Sequence, residues 1–198
     1  MWIRLATILL CIVFFITGCN SLVSQLFGTH KLRSFSMEEV LAEGIADADY
    51  IEVSGAWQSG DYVVVPKLNA SDKPILIYPL LSEAQLQQLE AGQKVRPQII
   101  GWTKNFDPAC DDAGTCAPKG PVSIKGVVRE MRSAKNQVDA LPQDKYTIPE
   151  LVNYVEVDRA PLAWYWNVLM MVGGLAMAFY IENRASKQRS EQVTDGTP

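Results

Sequence analysis

The hydrophobic pattern divides the chain into two apolar ends and a polar middle. The first apolar run covers residues 5–23, about 19 residues, close to the roughly 20 that cross a hydrocarbon core as a helix. Arg4 stands just before it. The second run, residues 162–181, carries no charge, and Asn167 is its only strongly polar side chain. Trp164, Tyr165 and Trp166 lie at its start, and Phe179 and Tyr180 at its end. Aromatic side chains at both ends of a span match the two membrane interfaces. The pattern predicts one membrane helix here and a second apolar segment at the N-terminus.

Between the runs, residues 50–53 alternate, while 61–65, 74–78, 94–102 and 122–130 are rich in β-branched and aromatic side chains. Such stretches predict short strands, with a last one over residues 151–157. Pro97 predicts an edge or bend, and Gly126 a bulge or kink. Two capping boxes interrupt the strands. Ser36 and Glu39 form the first, with Phe35 and Val40 as its hydrophobic staple and Gly44 as its stop. Ser82 and Gln85 repeat the grammar before Gly92. Each opens a helix of about two turns, too short to stand without packing on something else.

Together these elements predict a membrane-anchored α+β chain. Two hydrophobic terminal segments flank an external β-rich domain, a curled antiparallel sheet or partly open small barrel with two short helices. Residues 1–27 form the anchor or signal, 28–159 the external domain, 160–182 the transmembrane helix and 183–198 a polar tail.

Charge sets the expected orientation. Arg4 lies outside the first run, and Arg184, Lys187 and Arg189 follow the second. Basic flanks stay on the cytoplasmic side, so both termini are expected there and the middle across the membrane, in the periplasm if the membrane is a bacterial inner one. Three fates remain open for the first run: an uncleaved anchor, an ordinary cleaved signal, or a lipoprotein signal. The third arises because Ile16-Thr17-Gly18-Cys19 resembles the lipobox of bacterial lipoproteins, which implies cleavage and a lipid on Cys19.

Composition narrows the function classes. The chain of 198 residues is 48% hydrophobic and 20% charged, outside the range of disordered chains. Its net charge of −4 lacks the basic footprint of a nucleic-acid binder. A single His, His30, leaves little material for a zinc site, and its expected place is solvated. No nucleophile elbow, phosphate loop, zincin or dinucleotide motif occurs. No catalytic, metal or cofactor residue is assigned, and a non-enzymatic protein is expected.

Three further features carry structural or binding expectations. Cys110 and Cys116 sit in the loop-like segment 105–121; across the membrane such a pair reads as a disulfide, in preference to a reactive pair or metal clip. Gly173, Gly174 and Ala178 offer small side chains for close helix packing. Asn167 could hydrogen-bond across helices, but directly after the Trp-Tyr-Trp belt its expected place is near headgroup water. Trp57, Tyr62, Tyr78 and Trp102 are the recognition candidates away from the membrane, and most of them are expected in the core of the external domain.

The layout of span, external β-rich domain, span and basic tail is similar to that of Surfeit-type cytochrome oxidase assembly proteins. The similarity is one of layout and assigns no family. It implies an assembly role, and the expected function is an accessory, assembly or scaffold subunit of a membrane or envelope complex. The alternative is an envelope module that senses a ligand or binds a small molecule or lipid. Expected partners are the bilayer and other membrane or envelope proteins, with a homo-oligomer possible.

Overall fold

The computed structural model describes residues 2–66, 73–129 and 135–194. The chain divides into two compact units. Met1–Gly28 and Leu162–Pro198 form one, and Thr29–Pro161 the other.

The first unit is a pair of long helices, α1 (Trp2–Phe27) and α5 (Trp164–Thr194). Stretches of 24 residues in each, Arg4–Phe27 and Trp164–Lys187, are long and apolar enough to cross a membrane. The helices run antiparallel, with Gly18 beside Asn167 and Met171, and Gly174 beside Cys11 and Phe15.

The second unit is α+β around a mixed, open sheet of seven strands. In chain order its elements are β1 (Arg33–Ser36), α2 (Met37–Glu43), β2 (Tyr50–Gln58), β3 (Val63–Val65), β4 (Ile75–Leu80), α3 (Glu83–Glu90), β5 (Ile99–Thr103), the single turn α4 (Ala109–Asp112), β6 (Gly120–Val128), a 3-10 segment (Lys135–Ala140) and β7 (Asn153–Val157). The spatial order is β1-β2-β6-β7-β5-β4-β3.

The expected antiparallel sheet is corrected on two pairings. β1 runs parallel to β2, and β5 parallel to β7. The first follows from the helix between them: a parallel neighbour needs a crossover, and α2 with the following turn supplies it. The barrel alternative also fails, because β1 and β3 remain as unpaired edges. β1 escapes the sequence pattern because Arg-Ser-Phe-Ser is short and polar.

Both predicted helix starts form as written. Ser36 Oγ accepts from the Glu39 amide at 3.2 Å, and Glu39 Oε2 accepts from the Ser36 amide at 2.7 Å. Ser82 and Gln85 repeat this at 3.2 and 3.1 Å. Each reciprocal pair satisfies two amides that the first helical turn leaves without partners.

The sheet carries apolar side chains on both faces. On one, Ile51, Val53, Leu80, Ile99 and Val155 pack with Met37 and Val40 of α2. On the other, Ile77, Ile100, Trp102 and Tyr154 pack with Leu86 of α3 and with Val138, Leu141 and Tyr146. This double burial explains why β4 reads as the unbroken apolar run Ile-Leu-Ile-Tyr-Pro-Leu, since a strand covered on both faces does not alternate.

Gly126 has a different role from the expected bulge. The register shift lies in β2 between Val53 and Ala56, where Gly55 takes a φ of +68°. Gly126 stays in register opposite Ile51 and Val157. A Cβ there would lie 2.4 Å from the Glu156 carbonyl oxygen, so it is close strand approach that requires glycine. The predicted strand over 94–102 shortens to β5, and Val95 makes only an isolated bridge to Tyr146. Glu130, at the end of the predicted 122–130 strand, lies outside the described residues.

Candidate functional site

The helix pair is built on residues seven apart. Cys11 and Gly18 on α1, and Asn167 and Gly174 on α5, are buried while their neighbours are largely exposed. A seven-residue repeat keeps one seam facing one partner over several turns. A Cβ at Gly18 would lie 2.6 Å from the Asn167 carbonyl oxygen, and one at Gly174 would lie 2.8 Å from that of Cys11. Both glycines therefore sit where backbone meets backbone. Nothing approaches Gly173 within 4 Å, and Ala178 is half-buried.

Polar groups mark both ends of the seam. Arg4 pairs with Glu182. At the other end Asn167 Nδ2 donates to Gln25 Oε1 at 3.1 Å, and Gln25 donates in turn to the Leu162 carbonyl. Asn167 is fully buried, so of its two expectations the hydrogen bond across helices is the one that forms. The physical reason is its position in the heptad seam, where a Gln on the facing helix takes its amide.

The belt residues Trp164, Tyr165, Trp166, Phe179 and Tyr180 are exposed. The rings of Trp164 and Tyr165 meet edge to face, with centroids 6.2 Å apart. Cys19 is half-buried with a free thiol. Cys110 and Cys116 are bonded to each other, their Cα atoms 4.8 Å apart, inside the range a disulfide spans. Trp102 and Tyr78 are buried, while Trp57 and Tyr62 pack partly buried against the two cores.

A cleft of about 290 Å³ opens at one end of the sheet. It exists because β5 and β7 are parallel, so the chain leaves their carboxyl ends side by side. Thr103 ends β5 and Lys104 and Asn105 follow it, Asp158 and Arg159 follow β7, and Lys73 enters just before β4. Asp158 turns the chain out of β7 with a φ of +61°, a left-handed conformation that Asp tolerates better than most residues.

Glu156 lies in the wall of this cleft and is only 7% exposed. Its Oε1 accepts from Arg159 Nη1 at 3.1 Å. Arg129 Nη1 stands 3.7 Å from Oε2, beyond hydrogen-bond length, and Oε2 has no hydrogen-bond partner. A buried carboxylate of this kind persists only with counter-charge beside it. Both guanidinium groups remain more than half exposed.

A second cluster holds loops together. Tyr146 Oη lies 2.7 Å from Asp61 Oδ2, to which it donates, and 2.7 Å from Ser59 Oγ. Lys145 Nζ pairs with Asp61 Oδ1 at 2.7 Å. Burial pushes the Asp61 carboxyl up, but the hydrogen bonds from Lys145 and Tyr146 outweigh it and hold it below the ordinary value. Burial, then the Asp61 hydrogen bond, push the Tyr146 phenol well above its usual range. Every group in the cluster is satisfied, which is the arrangement of a structural tie. His30 is half-exposed, 3.5 Å from Asp49.

No group of three or more metal-ligating side chains gathers among the described residues. Comparison with protein-family models, curated proteins and solved structures finds no match to this chain.

The sheet-end cleft escaped the sequence reading, yet a signal was present. In Asn-Tyr-Val-Glu-Val of β7, the two-residue period places Glu156 on the same face as the buried Tyr154. A charge at an inward position of an otherwise apolar strand is the informative exception.

Proposed function

We propose that the protein is a two-span membrane protein whose sheet domain lies across the membrane from both termini, and that it acts as a non-enzymatic accessory or assembly subunit of a membrane or envelope complex. One observation carries the membrane part. Leu9, Val13, Ile16 and Val23 on α1, and Leu169, Val172, Leu175 and Phe179 on α5, are all exposed. Two helices apolar around their outer circumference leave far more hydrophobic surface open than a soluble protein tolerates, and a bilayer covers it. The basic residues Arg4, Arg184 and Lys187 support the orientation.

The seam supports retention of the N-terminal segment. Cys11, Phe15 and Gly18 all precede Cys19, so cleavage at a lipobox would remove the α1 side of the Gly174 approach. An intact mass that includes Met1 is the expected result, and a mature chain starting at lipidated Cys19 would refute retention. The accessory role rests on the two apolar helices and on a sequence without a known catalytic motif. Its test is mild-detergent purification of the tagged protein from its native membrane, with mass spectrometry of what stays bound. A stoichiometric membrane partner supports the role; recovery of the chain alone refutes it.

The ligand-binding alternative gains one specific observation, the cationic cleft around Glu156.

A further inference from the structure

We infer that the sheet-end cleft is an anion site that takes a phosphate group, carried either by a phospholipid headgroup or by a soluble phosphate ester. The donors line its wall. Lys73, Lys104 and Arg159 contribute charge, and Asn105 a side-chain amide. Thr103 is buried and its Oγ1 accepts from the Asn105 backbone N–H at 3.0 Å, which leaves the hydroxyl hydrogen to donate. Against these stand two carboxylates, Glu156 and Asp158.

The buried Glu156 gives the site its construction. Its carboxylate draws in Arg159 at 3.1 Å and Arg129 at 3.7 Å, yet both guanidinium groups keep open faces. A guanidinium carries five donors in a planar fork, and one carboxylate oxygen occupies at most two of them. Glu156 is thus a positioning residue: it fixes Arg159 so that its remaining donors present to the cleft, where a fork fits phosphate oxygens bidentately. The lining holds three cations, Lys73, Lys104 and Arg159, against two carboxylates, so an anion meets an excess of positive charge.

The lipid source rests on the membrane reading above, because Arg159 precedes the apolar run at Leu162 by only three residues. The soluble source does not depend on it. Calorimetric titration of the full chain in dodecyl maltoside micelles separates the two, with inorganic phosphate and dihexanoyl phosphatidic acid as probes. Saturable binding of both identifies phosphate alone as sufficient. Binding of phosphatidic acid only identifies the headgroup of a lipid. In either case the double variant Lys73→Gln/Lys104→Gln, both exposed, is expected to raise Kd at least tenfold with an unchanged melting temperature.

Glu156→Gln supplies a separate readout, taken on protein whose far-UV spectrum matches the parent. It makes the cleft more positive, so simple charge attraction would tighten binding; loss of the positioned Arg159 weakens it several-fold. Tighter binding would overturn the positioning role. Saturation by neither probe at low millimolar concentration, or equal affinity in the lysine double variant, would overturn the site. Failure of the membrane reading is distinguishable, since alkaline carbonate would then extract a chain whose inorganic phosphate binding is intact.

Discussion

Two adjacent glycines on α5 face opposite fates when given a methyl group. Gly174→Ala places a Cβ 2.8 Å from the Cys11 carbonyl oxygen, 3.4 Å from the Phe15 nitrogen and 3.5 Å from Phe14 Cβ, whereas Gly173→Ala meets nothing within 4 Å. The atom below 3.0 Å is backbone, so no rotamer change relieves it, and the helices must part by about half an ångström to restore an ordinary contact. A gap of that size forfeits a quarter or more of each atom pair's attraction, and a pair is worth roughly 0.1–0.2 kcal/mol. Over about 30 pairs along the seam the loss is about 1–2 kcal/mol, a factor of roughly 5–30 in the equilibrium between paired and separated helices. Gly173→Ala is expected to stay within about 0.5 kcal/mol. The readout is energy transfer between probes on cysteines placed at the exposed positions Trp2 and Asn183, with Cys19 replaced by Ala, as sodium dodecyl sulfate is added to dodecyl maltoside micelles. The Gly174 variant should separate at a lower detergent fraction than its parent, and the Gly173 variant at the parent's. Equal midpoints for the two variants would refute the close-packed seam.

Three further outcomes follow from the sheet domain. Replacing Cys110 and Cys116 by Ser opens a loop with a separation of six residues and should cost about 2 kcal/mol, read as a lower melting temperature that reductant no longer changes. Gly126→Ala, with its Cβ 2.4 Å from the Glu156 carbonyl oxygen, should cost about 1–3 kcal/mol as overpacking; a melting temperature equal to the parent's would mean that β6 and β7 are not so close. The pH dependence has two limbs. Asp61 is held below its ordinary pKa, so the native state binds fewer protons there, and its contribution is present above about pH 4 and lost as pH falls through the lower folded value. Tyr78 and Tyr146 are raised by burial, so their contribution is complete below about pH 10 and declines above it. Melting scans across both limbs check this, and Asp61→Asn should flatten the acid one.

What the chain declares in its sequence is what local chemistry decides. The two apolar runs, both capping boxes and most of the strands are written in neighbouring residues, and they form where they are written. Strand direction is not local: β5 and β7 are both short apolar strands, and only the placement of β6 on the far side of β7 makes them parallel. That one pairing creates the cleft, so the candidate site was hidden with it. The helix seam was half legible. Gly174 stands out as small, but the surface it packs on, Cys11, Phe14 and Phe15, belongs to a run that reads equally as an anchor or a signal when α1 is taken alone. The hydrogen bond of Asn167 is non-local in the same way, since Gln25, which takes its amide, lies 142 residues away in sequence.

The proposed topology sets the sheet domain on one side of a membrane and both chain ends on the other. Single cysteines at the exposed positions Glu90 and Ser186, in a chain with Cys19 replaced by Ala, test it with a membrane-impermeant maleimide applied to sealed spheroplasts. Labelling is expected at position 90 in intact spheroplasts and at position 186 only after lysis. Labelling of both positions before lysis, or of 186 alone, would contradict it.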